Sequence, residues 1–395
     1  MRSNLLSMDF NFDEIINRKG TASIKWDAAP SQDVLPMWVA DMDFKTAPPI
    51  IEALQQRVSH GIFGYTQTPL EFYNAIIGWW EKQHHFILEK ENLIATTGVI
   101  PALSASINAL AKKGDSVIMQ PPVYNHFYIT LRNSGVGIVE NNLIYNNGNY
   151  AIDFDDLERK ASDASVKLLI ISNPHNPVGR VWNREELQKL GDICQKHGIV
   201  VISDEIHSDL VYEGFKHIPF ASLGHAYSAQ SVTLSSPSKT FNLAGVQVGY
   251  LFTENMEFRN KIQKQLASQE MELLSPFAIE ALIAAYDGGQ QWLDALKLYL
   301  YDNYLYLKTF VEKHMPQLNV TPLQATYLVW LDCSAVSKPV SALASQLLQD
   351  HKLWVNPGTM YGDEGQNFLR INIACPRPLL EEGLGKLLLA FNKML

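Results

Sequence analysis

Through the middle of the chain, short apolar runs alternate with longer stretches in which apolar positions recur at helical spacing. Residues 116–119, 167–172, 199–203, 231–234 and 248–252 are near-continuous apolar runs of four to six residues, as expected of strands buried on both faces of a parallel sheet. Residues 137–143 are mainly apolar as well, and 123–133 can form a helix. Between the second and third runs lies a complete helix signature over 183–197. Asn183 stands at the N-cap, Glu185 and Glu186 fill the first turn, Lys196 and His197 the last, and Gly198 follows. Thr96, Thr97 and Gly98 open a further helix that runs to about Leu110, with Pro101 in its first turn. Strands and helices alternating in this way predict an α/β domain, with helices on both faces of a mostly parallel sheet.

The pattern changes toward the C-terminus. A long aromatic-rich helix is predicted over 291–313, a strand over 326–331, an amphipathic helix over 340–352, a strand over 368–373 and a last helix over 379–394. This reads as a smaller α+β lobe. The first fifty or so residues carry Pro30, Pro36, Pro48 and Pro49 with little periodicity, and read as an extended arm. The expected division is an arm over 1–50 that packs with the small domain and the active site, a large domain over 51–288 and a small domain over 289–395.

Length and charge narrow the function. A chain of 395 residues exceeds one ordinary core. A net charge of -9 gives no basis for electrostatic binding to nucleic acid or to an anionic membrane. No run reaches the roughly 20 apolar residues of a membrane span, and the N-terminus lacks an export-type apolar segment. Cys194, Cys333 and Cys375 lie far apart, without metal-ligand spacing or an even count for disulfides. A cytoplasmic protein without a metal site is the expectation. Asp41 and Asp43 form a spaced acidic pair, but no histidine cluster accompanies them. Gly135 and Gly137 lack the third glycine of a dinucleotide fingerprint.

In α/β sheets ligands bind at the carboxyl ends of strands, and four candidate groups occur there. The run 167–172 leads into Asn173-Pro-His-Asn-Pro-Val-Gly179. The run 199–203 ends in Asp204, Glu205, Ile206 and His207. The run 231–234 ends in a serine-rich loop that delivers Lys239, and upstream lies the Thr97–Gly98 helix start. A desolvated lysine loses its proton more readily and can attack an aldehyde, so Lys239 is a candidate Schiff-base residue. Each group alone also has a plain structural reading as a turn, a solvated strand end or a surface lysine.

As an ordered set they carry a resemblance. Met37-Trp-Val-Ala-Asp-Met-Asp-Phe44, Gly61-Ile-Phe-Gly-Tyr65, Pro121-Pro-Val-Tyr124, Asn176-Pro-Val-Gly179, Ser203-Asp-Glu-Ile-His207, Ser236-Pro-Ser-Lys239 and Leu369-Arg-Ile-Asn-Ile-Ala-Cys-Pro-Arg377 resemble the fold type I pyridoxal-phosphate (PLP) enzymes of the aspartate aminotransferase superfamily. Within them the chain is most similar to the MalY/PatB group of cystathionine β-lyase-like C–S lyases. The resemblance spans about residues 37–377.

It implies a role for each residue. Lys239 would join PLP and move the Cα proton, and Asp204 would pair with the pyridine nitrogen. Asn176 would bond the ring hydroxyl oxygen and Tyr124 would stack on the ring. The amides of Gly98, Val99 and Ile100 would bind the phosphate, with Ser236 and Ser238 adding hydroxyls and Tyr65 arriving from the other subunit of a homodimer. Arg370 would hold the α-carboxylate of an amino-acid substrate; its plain reading is a surface salt bridge on an edge strand. Arg377 reads as structural. His207 stands where many family aminotransferases have Tyr, and either reaches the ring oxygen or is a satisfied packing histidine. The motif around Trp38, Asp41 and Asp43 reads as an arm beside the active site. Gln247 stands eight residues after Lys239, where many aminotransferases carry a phosphate-binding arginine. The implied activity is a C–S β-lyase. The alternatives are an aminotransferase, which shares the early steps, and a PLP-binding regulatory protein with little turnover.

Overall fold

The computed structural model describes residues 10–392. Residues 1–9 of the expected arm, and 393–395 at the end of the expected last helix, lie outside the described residues. Seven strands form the larger sheet: β1 (Leu93–Thr96), β2 (Ser116–Met119), β3 (Gly137–Glu140), β4 (Val166–Ser172), β5 (Val200–Asp204), β6 (Ser231–Ser235) and β7 (Gly249–Phe252). Their order is β1-β7-β6-β5-β4-β2-β3. The strands β6, β5, β4, β2 and β3 are parallel. β7 runs antiparallel to both of its neighbours, so the sheet is mixed and mostly parallel. Helices cover both faces. β4 is buried at every residue but Lys167, which explains its near-continuous apolar sequence. The predicted 183–197 helix forms as Arg184–Lys196. The Asn183 side chain accepts from the Glu186 amide, and Glu186 answers to the Asn183 amide, a reciprocal capping box.

The smaller sheet is antiparallel, with β8 (Asn319–Val320), β9 (Leu328–Asp332), β10 (Asn356–Pro357) and β11 (Phe368–Asn372) in the order β8-β9-β11-β10. The helices Gln290–His314, Val340–His351 and Arg377–Asn392 pack with it. Arg377 opens the last of these, donating from Nε to Asn303 Oδ1 at 2.8 Å.

Not every proline of the first fifty residues lies in extended chain. Pro48 and Pro49 begin the helix Pro48–His60, where a missing amide hydrogen costs nothing. Upstream, Leu35–Pro36 pairs in parallel with Leu353–Trp354 of the small lobe, and Phe12, Met37, Met42 and Phe44 share a core with Trp292 and Leu296. The helices Leu70–His84, Met256–Ser268 and Pro276–Gly288, and the strand β1, were not anticipated.

Candidate active site

The carboxyl ends of β4, β5 and β6 face the N-terminus of the helix Val99–Leu110 across a cavity of about 190 Å³. Its walls carry Gly98, Val99, Ile100, Tyr124, Asn176, Asp204, His207, Ser238, Lys239 and Gln247, and also Ala40 from the arm. Three separate strand ends and one helix start thus converge, as the α/β architecture favours.

The helix start is shaped by close backbone packing. Gly98 has φ +150°, a region that side chains rarely tolerate, and the Thr96 hydroxyl donates to its carbonyl at 3.1 Å. Gly249 of β7 lies so near that a Cβ there would come within 2.8 Å of the Gly98 Cα. The amides of Val99 and Ile100 are first-turn donors without helical acceptors, and with the positive end of the helix dipole they suit an anion.

Lys239 follows β6 in a tight turn and is half-buried in the cavity wall. Burial, reinforced by the nearby Arg370 charge and opposed by Asp41 and Asp204, lowers its amine to about 8. Its Nζ donates to the carbonyl of Ala40 at 2.6 Å, and the Tyr327 hydroxyl donates to the same oxygen at 2.9 Å. Asp204 ends β5. Burial pushes its carboxyl up to about 7, although the Ile206 amide, at 3.2 Å, pulls the other way. It makes no salt bridge among the described residues, so it is a buried acid in want of a cation.

His207 is buried and driven down to about 3, first by burial and then by the Lys239 and Arg370 charges, so it is a neutral imidazole. Its Nδ1 has no partner among the described residues, unlike the satisfied packing histidine that was one of its two readings. Tyr124 lines the wall beside His126, with ring centroids 5.1 Å apart, and burial raises its phenol to about 12.

Arg370 lies on β11, which is flanked by β9 and β10. It is therefore not on an edge strand, and it is buried with no carboxylate partner among the described residues. Its Nη2 donates to the Trp38 carbonyl at 2.7 Å, its Nη1 reaches Asn176 Oδ1 at 3.3 Å, and its Nε is buried without a partner among the described residues. The guanidinium sits 4.8 Å from the Tyr361 ring centroid.

The expectation for Ser236 changes. The Ser236 hydroxyl does not serve the cavity. It donates to the Val248 carbonyl at 2.6 Å and accepts from the Ser238 amide at 3.0 Å, so it braces the lysine loop. Tyr65 stands apart from its own chain's cavity, fully exposed in the segment between two helices. The Ala40 carbonyl, Tyr327 and Tyr361 were not singled out from the sequence, the tyrosines because a residue in a predicted strand or turn carries no mark of which way its side chain faces. A backbone oxygen leaves no residue-type signal.

The family model for aminotransferase class I and II matches residues 32–387. Cystathionine beta-lyase PatB of Bacillus subtilis (strain 168) is 42% identical over 386 residues, covering 97% of this chain and 100% of PatB. Protein MalY of Escherichia coli (strain K12) is 35% identical, covering 97% of this chain and 99% of MalY. Among solved structures, cystalysin from Treponema denticola, which contains a pyridoxal 5'-phosphate cofactor, superposes with a TM-score of 0.95 at 32% identity, over 98% of this chain and 100% of cystalysin. The chain belongs to the class I and II aminotransferase family, in the group that holds PatB and MalY.

Proposed function

We propose that the protein is a PLP-dependent carbon–sulfur β-lyase that cleaves cystathionine, cysteine or a related cysteine S-conjugate to pyruvate, ammonia and a thiol. The observation that carries this reading is the convergence around one small cavity of Lys239, half-buried, with Asp204 and Arg370, both buried.

PLP suits the groups present. A lysine amine lowered to about 8 is neutral near pH 7 far more often than an unshifted lysine. The uncompensated Asp204 carboxyl fits a protonated ring nitrogen, and the neutral His207, with Asn176, fits a ring oxygen. The amides of Gly98, Val99 and Ile100, with the Ser238 hydroxyl, fit a phosphate. Gln247 leaves that phosphate without a guanidinium partner. When bound, PLP supplies an aldehyde that links to an amine and a ring that takes up electrons released at the substrate Cα.

The chain's own residues do the rest. Arg370 binds the α-carboxylate and orients the amino acid, its free Nε offering a donor that a second carboxylate oxygen can meet. Lys239 Nζ takes the Cα proton. Tyr124 closes one side of the cavity, and Asp204 keeps the ring nitrogen protonated. The bond that breaks at Cβ is the one to sulfur, because a thiolate, with a thiol pKa of about 8.5, leaves far more readily than an alkoxide.

The proposal includes a cytoplasmic homodimer with shared sites, in which Tyr65 reaches the partner's phosphate. Its support is the exposure of Tyr65 together with the apolar side chains Val58, Ile62, Phe63, Leu70 and Leu273. Three buried, unpaired cysteines suit a reducing compartment. No helix among the described residues is long and apolar enough to cross a membrane. The working division remains an arm over 1–50, a PLP-binding lobe over 51–288 and a small lobe over 289–395, supported by the seven-stranded sheet in the one lobe and the four-stranded sheet in the other.

The test is product analysis with cystathionine and cysteine and no 2-oxo acid acceptor. Pyruvate, ammonia and thiol should appear together. Rapid amino-group exchange with 2-oxo acids and negligible pyruvate would make the protein an aminotransferase.

A further inference from the structure

Behind the wall that carries Asp204 and Lys239 lies a buried cluster of two carboxylates and two histidines that does not line the cavity. Glu205 Oε1 accepts from the Ser203 hydroxyl at 2.8 Å and from the Phe220 amide at 2.9 Å, and Oε2 lies 2.7 Å from His217 Nε2. His84, the last residue of the helix Leu70–His84, places Nε2 3.0 Å from Asp209 Oδ1. The Trp79 indole donates to the same oxygen at 3.1 Å, and the Thr240 hydroxyl donates to Asp209 Oδ2 at 2.8 Å. The two imidazoles meet edge to face, with centroids 5.1 Å apart, and join the two halves.

Buried carboxylates are costly unless their oxygens are met by donors. Here three donors meet Asp209 and two donors and an imidazole meet Glu205, so the carboxylates of the cluster are satisfied, while His217 Nδ1 is buried without a partner among the described residues. Its two ends are attached to the chain neighbours of the two residues on which the chemistry rests. Along a strand, alternate side chains point to opposite faces. Ser203 and Glu205, bonded to each other, therefore share one side of the strand end and leave Asp204 facing the cavity. Thr240 directly follows Lys239, so its bond to Asp209 pins the turn just past the amine.

We infer that this network is a positioning device that holds Asp204 and Lys239 in register across the cavity. Thr240 and Asp209 are positioning residues for the amine, and Glu205 and His217 for the carboxylate. The inference rests on the roles proposed above for Lys239 and Asp204.

The test compares Thr240→Val, which keeps the shape and removes the hydroxyl, with Thr240→Ser, which keeps the hydroxyl. Three quantities are measured: kcat, KM, and the rate at which apoenzyme captures added PLP covalently, followed by absorbance and confirmed by borohydride trapping. In Thr240→Val, kcat and the capture rate should each fall about tenfold or more. KM should change little, because Arg370 is untouched. Thr240→Ser should restore both to near the parent. If Thr240→Val only lowers the melting temperature and leaves kcat and capture unchanged per folded molecule, the network is structural and the inference is overturned. If Thr240→Val does not fold, Trp79→Phe takes a different donor from Asp209 and leaves the lysine loop intact. It should slow capture severalfold, and an unchanged rate would overturn the inference equally. Failure of the parent protein itself to capture PLP at Lys239 would sink the proposed function instead.

Discussion

Replacing Arg370 separates substrate orientation from every other role of the site. The guanidinium is buried, held by the Trp38 carbonyl and by Asn176, and it carries one donor with no protein partner. A substrate carboxylate bound there gains two charge-assisted hydrogen bonds in a fixed plane. Arg370→Lys keeps the charge and loses the fork. Losing one such bond costs about 1.5–3 kcal/mol, and at ~1.4 kcal/mol per decade this is about a 10- to 150-fold loss in kcat/KM. Arg370→Met leaves the carboxylate unpaired in a buried site, at about 3–5 kcal/mol, which takes the loss to between two and nearly four orders of magnitude. The assay is steady-state thiol release from a cysteine S-conjugate, run beside the same conjugate lacking its α-carboxylate. The carboxylate-free amine should be a poor substrate for the parent and should lose little more in either variant. A second readout comes from Lys239. After burial, the Arg370 charge is the next cause of its lowered amine. Arg370→Met should therefore raise the pH midpoint of PLP capture by apoenzyme, whereas Arg370→Lys should leave it nearly in place. Equal losses on both substrates would show that the arginine supports the fold and does not hold the carboxylate.

Three further outcomes are expected. Gly249→Ala should weaken PLP binding by displacing the phosphate-binding turn, since its Cβ would fall 2.8 Å from the Gly98 Cα; an unchanged PLP dissociation constant would count against that turn as the phosphate site. Mixing Lys239→Ala chains with Tyr65→Phe chains, both inactive alone, should recover about a quarter of parental activity from heterodimers with one intact site in two; no recovery despite proven heterodimers would refute sharing through Tyr65. Burial raises Asp204 to about 7, so its ionisation is a cost to the apo fold that is absent below the unfolded value near 4 and complete above 7. Because PLP would supply the missing cation, the gap between holo and apo melting temperatures should widen from pH 5 to pH 8, and a constant gap in scanning calorimetry would contradict the pairing.

What was legible in the sequence is what local physics determines. The strands β2, β4, β5 and β6 show as apolar runs because both faces are buried. The helix after Asn183 shows because its capping box is written in adjacent residues. The antiparallel course of β7 is not written there, because strand direction follows from the path of the connecting loop. The interior place of Arg370 was also hidden. It depends on Asn356–Pro357, a two-residue strand containing a proline, which only a sheet edge tolerates. The family motifs brought Ser236 to notice, but residue type does not reveal which way a hydroxyl turns, and here it turns to the Val248 carbonyl.

The arm shows why the motif around Trp38 to Phe44 has consequences beyond packing. Lys25, 1% exposed, lies 2.7 Å from Asp43, which also pairs with Arg18 at 2.7 Å and accepts from the Trp26 indole at 2.8 Å. Burial pushes the Asp43 carboxyl up, but Lys25 and these donors together hold it below the usual carboxylate range. This buried ion cluster fixes a strap whose carbonyls do the work at the site: that of Trp38 for Arg370 and that of Ala40 for Lys239. Lys239 must give up its bond to Ala40 whenever its nitrogen is engaged in chemistry. The Tyr327 hydroxyl, bonded to the same carbonyl at 2.9 Å, then leaves that oxygen with a partner. Freeing the amine therefore does not leave this half-buried acceptor without a partner. On this argument Tyr327→Phe should bind PLP and substrate normally while turning over more slowly, and a parental kcat in that variant would show that the second bond is incidental.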